Sequence, residues 1–188
     1  MTAHRSRLLV PLLGGAALVL LRLVASAYAD EDNVAIAAAH SDATQVRQLI
    51  AGGTSPNELD DSGRTGLQLA AINGNLQIAA ILLKAQARVD LKDKLGNTAL
   101  HYAADHDHGE MVQLLLDVGA AVDPENKDGM TPLMIAASRG SATIVQALLA
   151  KGANIRRTDY TGRDALSWAT ESHRPVVVQL LQHALAQH

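Results

Sequence analysis

"GNTALHYAADHDH", residues 96–108, decides how this chain folds, because the pattern returns. "GRTGLQLAAINGN" starts at Gly63, "GMTPLMIAASRGS" at Gly129 and "GRDALSWATESHR" at Gly162, so that with Gly96 the four starts are spaced 33 residues apart. A short apolar run follows each one: "IAAILL" from Ile78, "MVQLLL" from Met111, "IVQALL" from Ile144 and "VVVQLL" from Val176. Thirty-three residues before Leu67 stands Val34, and "VAIAAAHSDATQVRQLI" fits the same template with a degraded start. Five units therefore cover residues 30–188, at about 30–59, 60–92, 93–125, 126–158 and 159–188. A fixed period of this length marks a solenoid, in which each unit buries its apolar face only against its neighbours.

Within a unit the residues predict a helix, a tight turn and a second helix. Thr65, Thr98 and Thr131 stand where an N-cap side chain takes up a free amide, and Asp164 does the same in the last unit. Pro132 follows at the first helical position, where a missing N–H costs nothing. Paired alanines (Ala70-Ala71, Ala103-Ala104, Ala136-Ala137) allow neighbours to approach closely. Gly74 and Gly140 end first helices, Gly119 and Gly152 end second ones, and extended segments lead to turns at Asp93, Asn126 and Asp159.

This pattern resembles the ankyrin repeat, whose signature is a T-P-L-H-x-A run within 33 residues; "NTALHYAA" and "MTPLMIAA" match it best. The resemblance implies an all-α solenoid of five stacked helix-turn-helix units with projecting hairpin loops and a concave face. The chain also departs from the family. The motif histidine survives only as His101, with Gln68, Met134 and Ser167 in its place elsewhere. In the family that histidine ties adjacent loops together, so looser loops are expected where it is missing. Gln86 replaces a usual glycine and predicts a less regular turn. Pro175 and His173 are expected to disturb the last interhelical turn. Gln182 in place of Leu149, and Gln45 in place of Ile78, make the end units polar caps.

The same register decides the histidine-rich stretch "HYAADHDHGE", residues 101–110. On one continuous helix His101 and His108 would share a face and invite a metal. Asp107 instead takes the turn position of Gly74 and Gly140, a place Asp tolerates better than most residues, so the helix is expected to break there. His101 and His108 then read as scaffold, and a weak metal site at Asp105, His106 and His108 stays open. No other constellation carries chemistry: no serine lies in a G-x-S-x-G setting, and "GGTSP" at 52–56 has no lysine and no opening helix for phosphate. An enzyme is not expected, and no cofactor is implied.

The chain opens with a basic start (Arg5, Arg7), an apolar run from Leu8 to Leu21 and an A-x-A pattern at Ala27-Tyr28-Ala29. That is the layout of a secretory signal peptide, residues 1–29, cleaved after Ala29 or after Ala27. The apolar run is shorter than the roughly 20 residues a membrane span needs, and Arg22 interrupts it. The expected mature domain, residues 30–188, is therefore periplasmic or secreted, with no membrane association after cleavage. There is no cysteine, which excludes disulfides, thiol catalysis and cysteine-bound metal. There is no Phe either, so the core must come from Ala, Leu, Ile and Val.

Charge is segregated. Residues 30–62 hold seven acids against Arg47 alone, whereas residues 130–174 hold six bases against Asp159, Asp164 and Glu171. Opposite ends of a long molecule orient a charged partner and speed encounter. An acidic chain without a basic groove argues against nucleic acid. In ankyrin proteins the variable positions of loop tips and first helices bind the partner. Carried over, these are Arg64, Ile72, Lys94, Leu95, Asn97, His106, Lys127, Met130, Arg139, Tyr160 and Arg163. Leu95, Met130 and Tyr160, with Arg139 and Arg163, are of the residue types that interfaces favour. The reading is a monomeric adaptor or accessory factor that binds another protein. An inhibitor or immunity protein that blocks an exported enzyme or toxin is the first alternative; a carrier of metal or a small ligand is the second.

Overall fold

Several helix starts fall where a side chain supplies a cap. Thr65 Oγ1 accepts from the Gln68 amide at 3.2 Å, Thr131 Oγ1 from Met134 at 3.4 Å and Asp164 Oδ1 from Ser167 at 2.8 Å. Each such contact is worth about 1 kcal/mol to the helix it begins. In the computed structural model, which describes residues 33–187, the helices fall into five pairs. The pairs are α1 (Val34–Ala39) with α2 (Ala43–Ala51), α3 (Gly66–Ile72) with α4 (Leu76–Lys84), α5 (Ala99–Asp105) with α6 (Gly109–Asp117), α7 (Pro132–Arg139) with α8 (Ala142–Ala150), and α9 (Ala165–Glu171) with α10 (Pro175–Ala186). The expected signal segment, residues 1–29, lies outside the described residues, as do residues 30–32. No helix among the described residues is long and apolar enough to cross a membrane.

First helices pack on first helices (α1, α3, α5, α7, α9) and each packs on its own second helix, which gives two layers. Small residues make the first layer possible. Ala37, Ala38, Ala70, Ala71, Ala103, Ala104, Ala136 and Ala137 are all buried, and no side chain there keeps neighbouring helices apart. Between the layers lie Leu67, Ile78, Leu82, Leu100, Met111, Leu115, Leu133, Ile144 and Leu148, also fully buried. Cutting any of these leucines to alanine costs about 2–5 kcal/mol, because close-packed neighbours cannot refill the space. At the C-terminal end Thr170 and Gln182 are exposed where the inner repeats place Ala137 and Leu149, so the last unit is capped by polar atoms.

The turns correct two sequence expectations. Gln86 does not loosen the turn after α4. It adopts φ 65°, and its amide bonds Leu83 O at 3.0 Å while Ala87 bonds Leu82 O at 2.9 Å. Gly119-Ala120 and Gly152-Ala153 make the same pair of bonds. His173 and Pro175 do not disturb the last interhelical turn either. His173 takes φ 55°, Pro175 stands at the first turn of α10, and the Arg174 amide reaches Ala169 O at 2.8 Å, as His108 reaches Ala103 O at 2.9 Å. In both turns packing on either side imposes the left-handed residue, and the side chain accepts the strain. Asp107, with φ 58°, breaks the helix as its sequence position predicts.

Candidate functional site

Four loops project between the helix pairs, and each begins with a residue that folds it. Oδ1 of Asp60 accepts from the amides of Ser62 and Arg64 at 2.9 and 2.8 Å. Asp93 does the same for Leu95 and Asn97, Asn126 for Asp128 and Met130, and Asp159 for Thr161 and Arg163, all between 2.8 and 3.0 Å. The loops are then stitched to each other. The Lys127 amide donates to Leu95 O at 3.0 Å, the Tyr160 amide to Asp128 O at 3.1 Å, and Lys94 Nζ to Asp61 O at 2.6 Å. Tyr160 packs against Gly129, where an added Cβ would stand 2.7 Å from the ring; the glycine, at φ 78°, is required twice over. The tips thus form one ordered ridge, and a partner that binds it loses little entropy in ordering them.

Below the ridge, loop bases are tied through the motif position. His101 Nδ1 accepts from the Thr98 amide at 3.1 Å, which leaves the proton on Nε2 to donate to Met130 O at 3.1 Å. Burial pushes His101 down to about 4, so the ring is neutral at pH 7. Gln68 makes the equivalent bridge. Its Oε1 accepts from the Thr65 amide at 2.7 Å, and its Nε2 donates to Leu91 O and Asn97 O at 2.9 and 2.7 Å. The expectation of looser loops without the histidine is therefore corrected at that repeat, because an amide presents the same acceptor and donor at the same reach. Met134 makes only a long sulfur contact, 3.5 Å from the Thr131 amide.

The first helices line a cleft of about 460 Å³ across the last three repeats. Its apolar wall is a column at 33-residue spacing, Tyr102, Ile135 and Trp168, of which sequence reasoning picked none. The signal was present: two of the chain's four aromatic residues fall in that column. Loop acids hold the rings. The Tyr102 hydroxyl donates to Asp93 Oδ2, and Trp168 Nε1 donates to Asp159 Oδ2 at 3.1 Å. Burial pushes Asp159 up, but the bonds from Thr161, Arg163 and Trp168 outweigh it and hold the carboxyl at about 2. The Arg163 guanidinium stacks 3.8 Å above the Trp168 ring.

The residues expected to bind fall into three places. Asn97, Met130 and Arg139 line the cleft. Leu95, Tyr160, Lys94 and Lys127 are exposed on the ridge, with Leu95 at 62% and Tyr160 at 71%. Arg163 joins ridge to cleft, reaching Glu171 at 3.2 Å and Asp159 at 3.4 Å. Arg64, Ile72 and His106 stand apart from the cleft: Arg64 is engaged by Asp60 at 2.8 Å, and Ile72 is half-buried against the core. Met130 is half-buried too, which leaves Leu95 and Tyr160 as the exposed apolar side chains of the expected patch.

The histidine-rich stretch is distributed among scaffold contacts. His108 Nε2 pairs with Ile72 O at 3.0 Å, Asp105 with Arg139 at 2.7 Å, and the rings of His106 and His108 stack with centroids 6.1 Å apart. Among the described residues no three His, Asp or Glu side chains converge to hold a metal ion.

The family described as ankyrin repeats (3 copies) matches residues 34–128 and 118–187. The comparison with curated proteins finds no match.

Proposed function

The chain belongs to the ankyrin-repeat family, and from that premise we propose that it binds another exported protein as an adaptor or accessory factor in the periplasm. Ankyrin repeats are protein–protein interaction modules and are typically non-catalytic. The observation that carries the reading is the cleft walled by Tyr102, Ile135 and Trp168 beneath an ordered ridge bearing Leu95 and Tyr160. Aromatic and arginine side chains on a rigid support are what interface centres are built from. Residues 130–174, which hold six bases against three acids and supply most of the cleft lining, orient an incoming partner, and the acidic first repeat does not compete for it.

Affinity capture with the tagged full chain from a periplasmic extract tests the proposal, beside a Tyr160→Asp, Arg139→Glu double variant. Both side chains are exposed, so the variant keeps its helical circular dichroism. A near-stoichiometric protein retained by the parent and lost from the variant supports the reading. Equal retention by both, or by neither, removes this surface from the function.

A further inference from the structure

We infer that the cleft receives an extended acidic segment of its partner, with a carboxylate on the Arg174 guanidinium and the adjoining apolar side chain against Trp168 and Ile135. The inference rests on the binding-module reading above and gives its partner a chemistry.

Arg174 is the wrong residue for its local position. It stands at the N-cap of α10, where an acceptor side chain is favoured and the helix end already carries partial positive charge. The corresponding residues are Asp42, Asn75, His108 and Ser141; Asp42 and Asn75 accept amide protons, whereas His108 and Ser141 make no side-chain cap bond. Arg174 makes no cap bond. Its Nε repeats the contact of His108, whose Nε2 pairs with Ile72 O 36 residues back, so what sets Arg174 apart is its charge and its two further donor nitrogens.

Its placement is nonetheless fixed. Arg174 Nε donates to Ser138 O at 3.0 Å, and its chain crosses Gly140, where an added Cβ would stand 2.7 Å from Arg174 Cδ. Gly140, at φ 83°, leaves that path open. The guanidinium is thereby delivered to the same cleft as Trp168 and Ser172. The other cations near the cleft are occupied: Arg139 pairs with Asp105, and Arg163 with Asp159 and Glu171. Among the described residues Arg174 forms no ion pair, and its two terminal nitrogens have no hydrogen-bond acceptor. An oriented guanidinium with free terminal nitrogens matches a carboxylate in a two-point hydrogen bond. The apolar column beside it supplies contact for the neighbouring side chain.

Trp168 is the only tryptophan of the chain and lies in the cleft wall, so its fluorescence reports binding at this place. The full-chain protein is titrated with three pools of extended octapeptides, alternating Leu or Val with acidic, amide or basic residues. The acidic pool is expected to shift Trp168 emission saturably, more weakly at raised salt. The other two pools are expected to leave it unchanged. Arg174→Asn, which restores the cap seen at Asn75, is expected to hold or raise the melting temperature and to lose roughly tenfold in affinity or more. No shift with the acidic pool, an equal shift with the amide pool, or unchanged affinity in Arg174→Asn overturns the inference. If capture still returns a protein that the Tyr160→Asp, Arg139→Glu variant loses, the binding-module reading survives that failure.

Discussion

Trp168 and Asp159, nine residues apart, are joined by an indole N–H to carboxylate bond of 3.1 Å, and Tyr102 makes the same connection to Asp93 two repeats earlier. One oxygen of each acid folds a loop while the other clamps a ring, so ridge and cleft wall are positioned by a single side chain.

Asp159→Asn separates loop folding from ring clamping. Asn126 shows that an asparagine folds such a loop, through the same two amides. With Oδ1 kept on the loop, the new amide nitrogen meets the Trp168 N–H as donor against donor. Trp168 emission is expected to move to longer wavelength, with a stability loss of about 1–2 kcal/mol and unchanged far-ultraviolet circular dichroism. An unshifted emission would show that the wall stands without its clamp.

His101 makes stability depend on pH. Its folded pKa of about 4 lies below the ordinary 6.5 of the unfolded chain, so below pH 6.5 the unfolded state takes up the proton and the folded state does not. The stability it contributes is complete above pH 6.5 and falls by roughly 3 kcal/mol as the pH drops to 4. His101→Gln copies Gln68, which bridges its own loops without titrating. Urea midpoints for that variant are expected to match the parent within about 1 kcal/mol at pH 7 and to flatten between pH 6.5 and 4. A slope as steep as the parent's would assign the acid sensitivity to another group.

Gln86→Gly is expected to stabilise the protein. The left-handed backbone at φ 65° costs a residue with a Cβ about 1–2 kcal/mol, partly offset by the greater unfolded freedom of glycine. A net gain of about 0.5–1 kcal/mol in urea unfolding is expected. The corresponding change at Asp107 should give less, because Asp tolerates this conformation better.

Asp105 and Arg139 join neighbouring repeats at 2.7 Å, yet both are partly exposed. Arg139→Ala is expected to change thermal stability by less than about 0.5 kcal/mol, since such pairs are screened by water and salt. Its effect should appear in partner capture, where Arg139 rims the cleft. A large loss of stability would make the pair a structural clasp instead.

The repeat period was legible because the same pattern recurs every 33 residues, and the threonine caps and the break at Asp107 because each depends on residues within a few positions of one another. Gln68 was misjudged as a loss because motif matching compares names; hydrogen bonding compares a donor and an acceptor at a given reach, and Gln and His share both. The turn at Gln86 was misjudged because tertiary packing, invisible locally, outweighs a strain of about 1–2 kcal/mol. Arg174 escaped notice for a similar reason: its guanidinium acts 36 residues away, at Ser138 O. Nothing in the local sequence points to that carbonyl.

Among the described residues, the side-chain bonds that join two repeats span between 29 and 36 residues, and the backbone bonds between loops link only neighbours. No contact of this kind there ties the first unit to the last, so either end can unravel while the remainder keeps its shape, as in a zip without a terminal stop. A ligand seated across the last three units closes one of those ends and leaves the other free. Amide exchange should then slow in α7 and α9 while α1 and α2 exchange as before, which gives the molecule a direction: bound at one end, and open to turnover at the other.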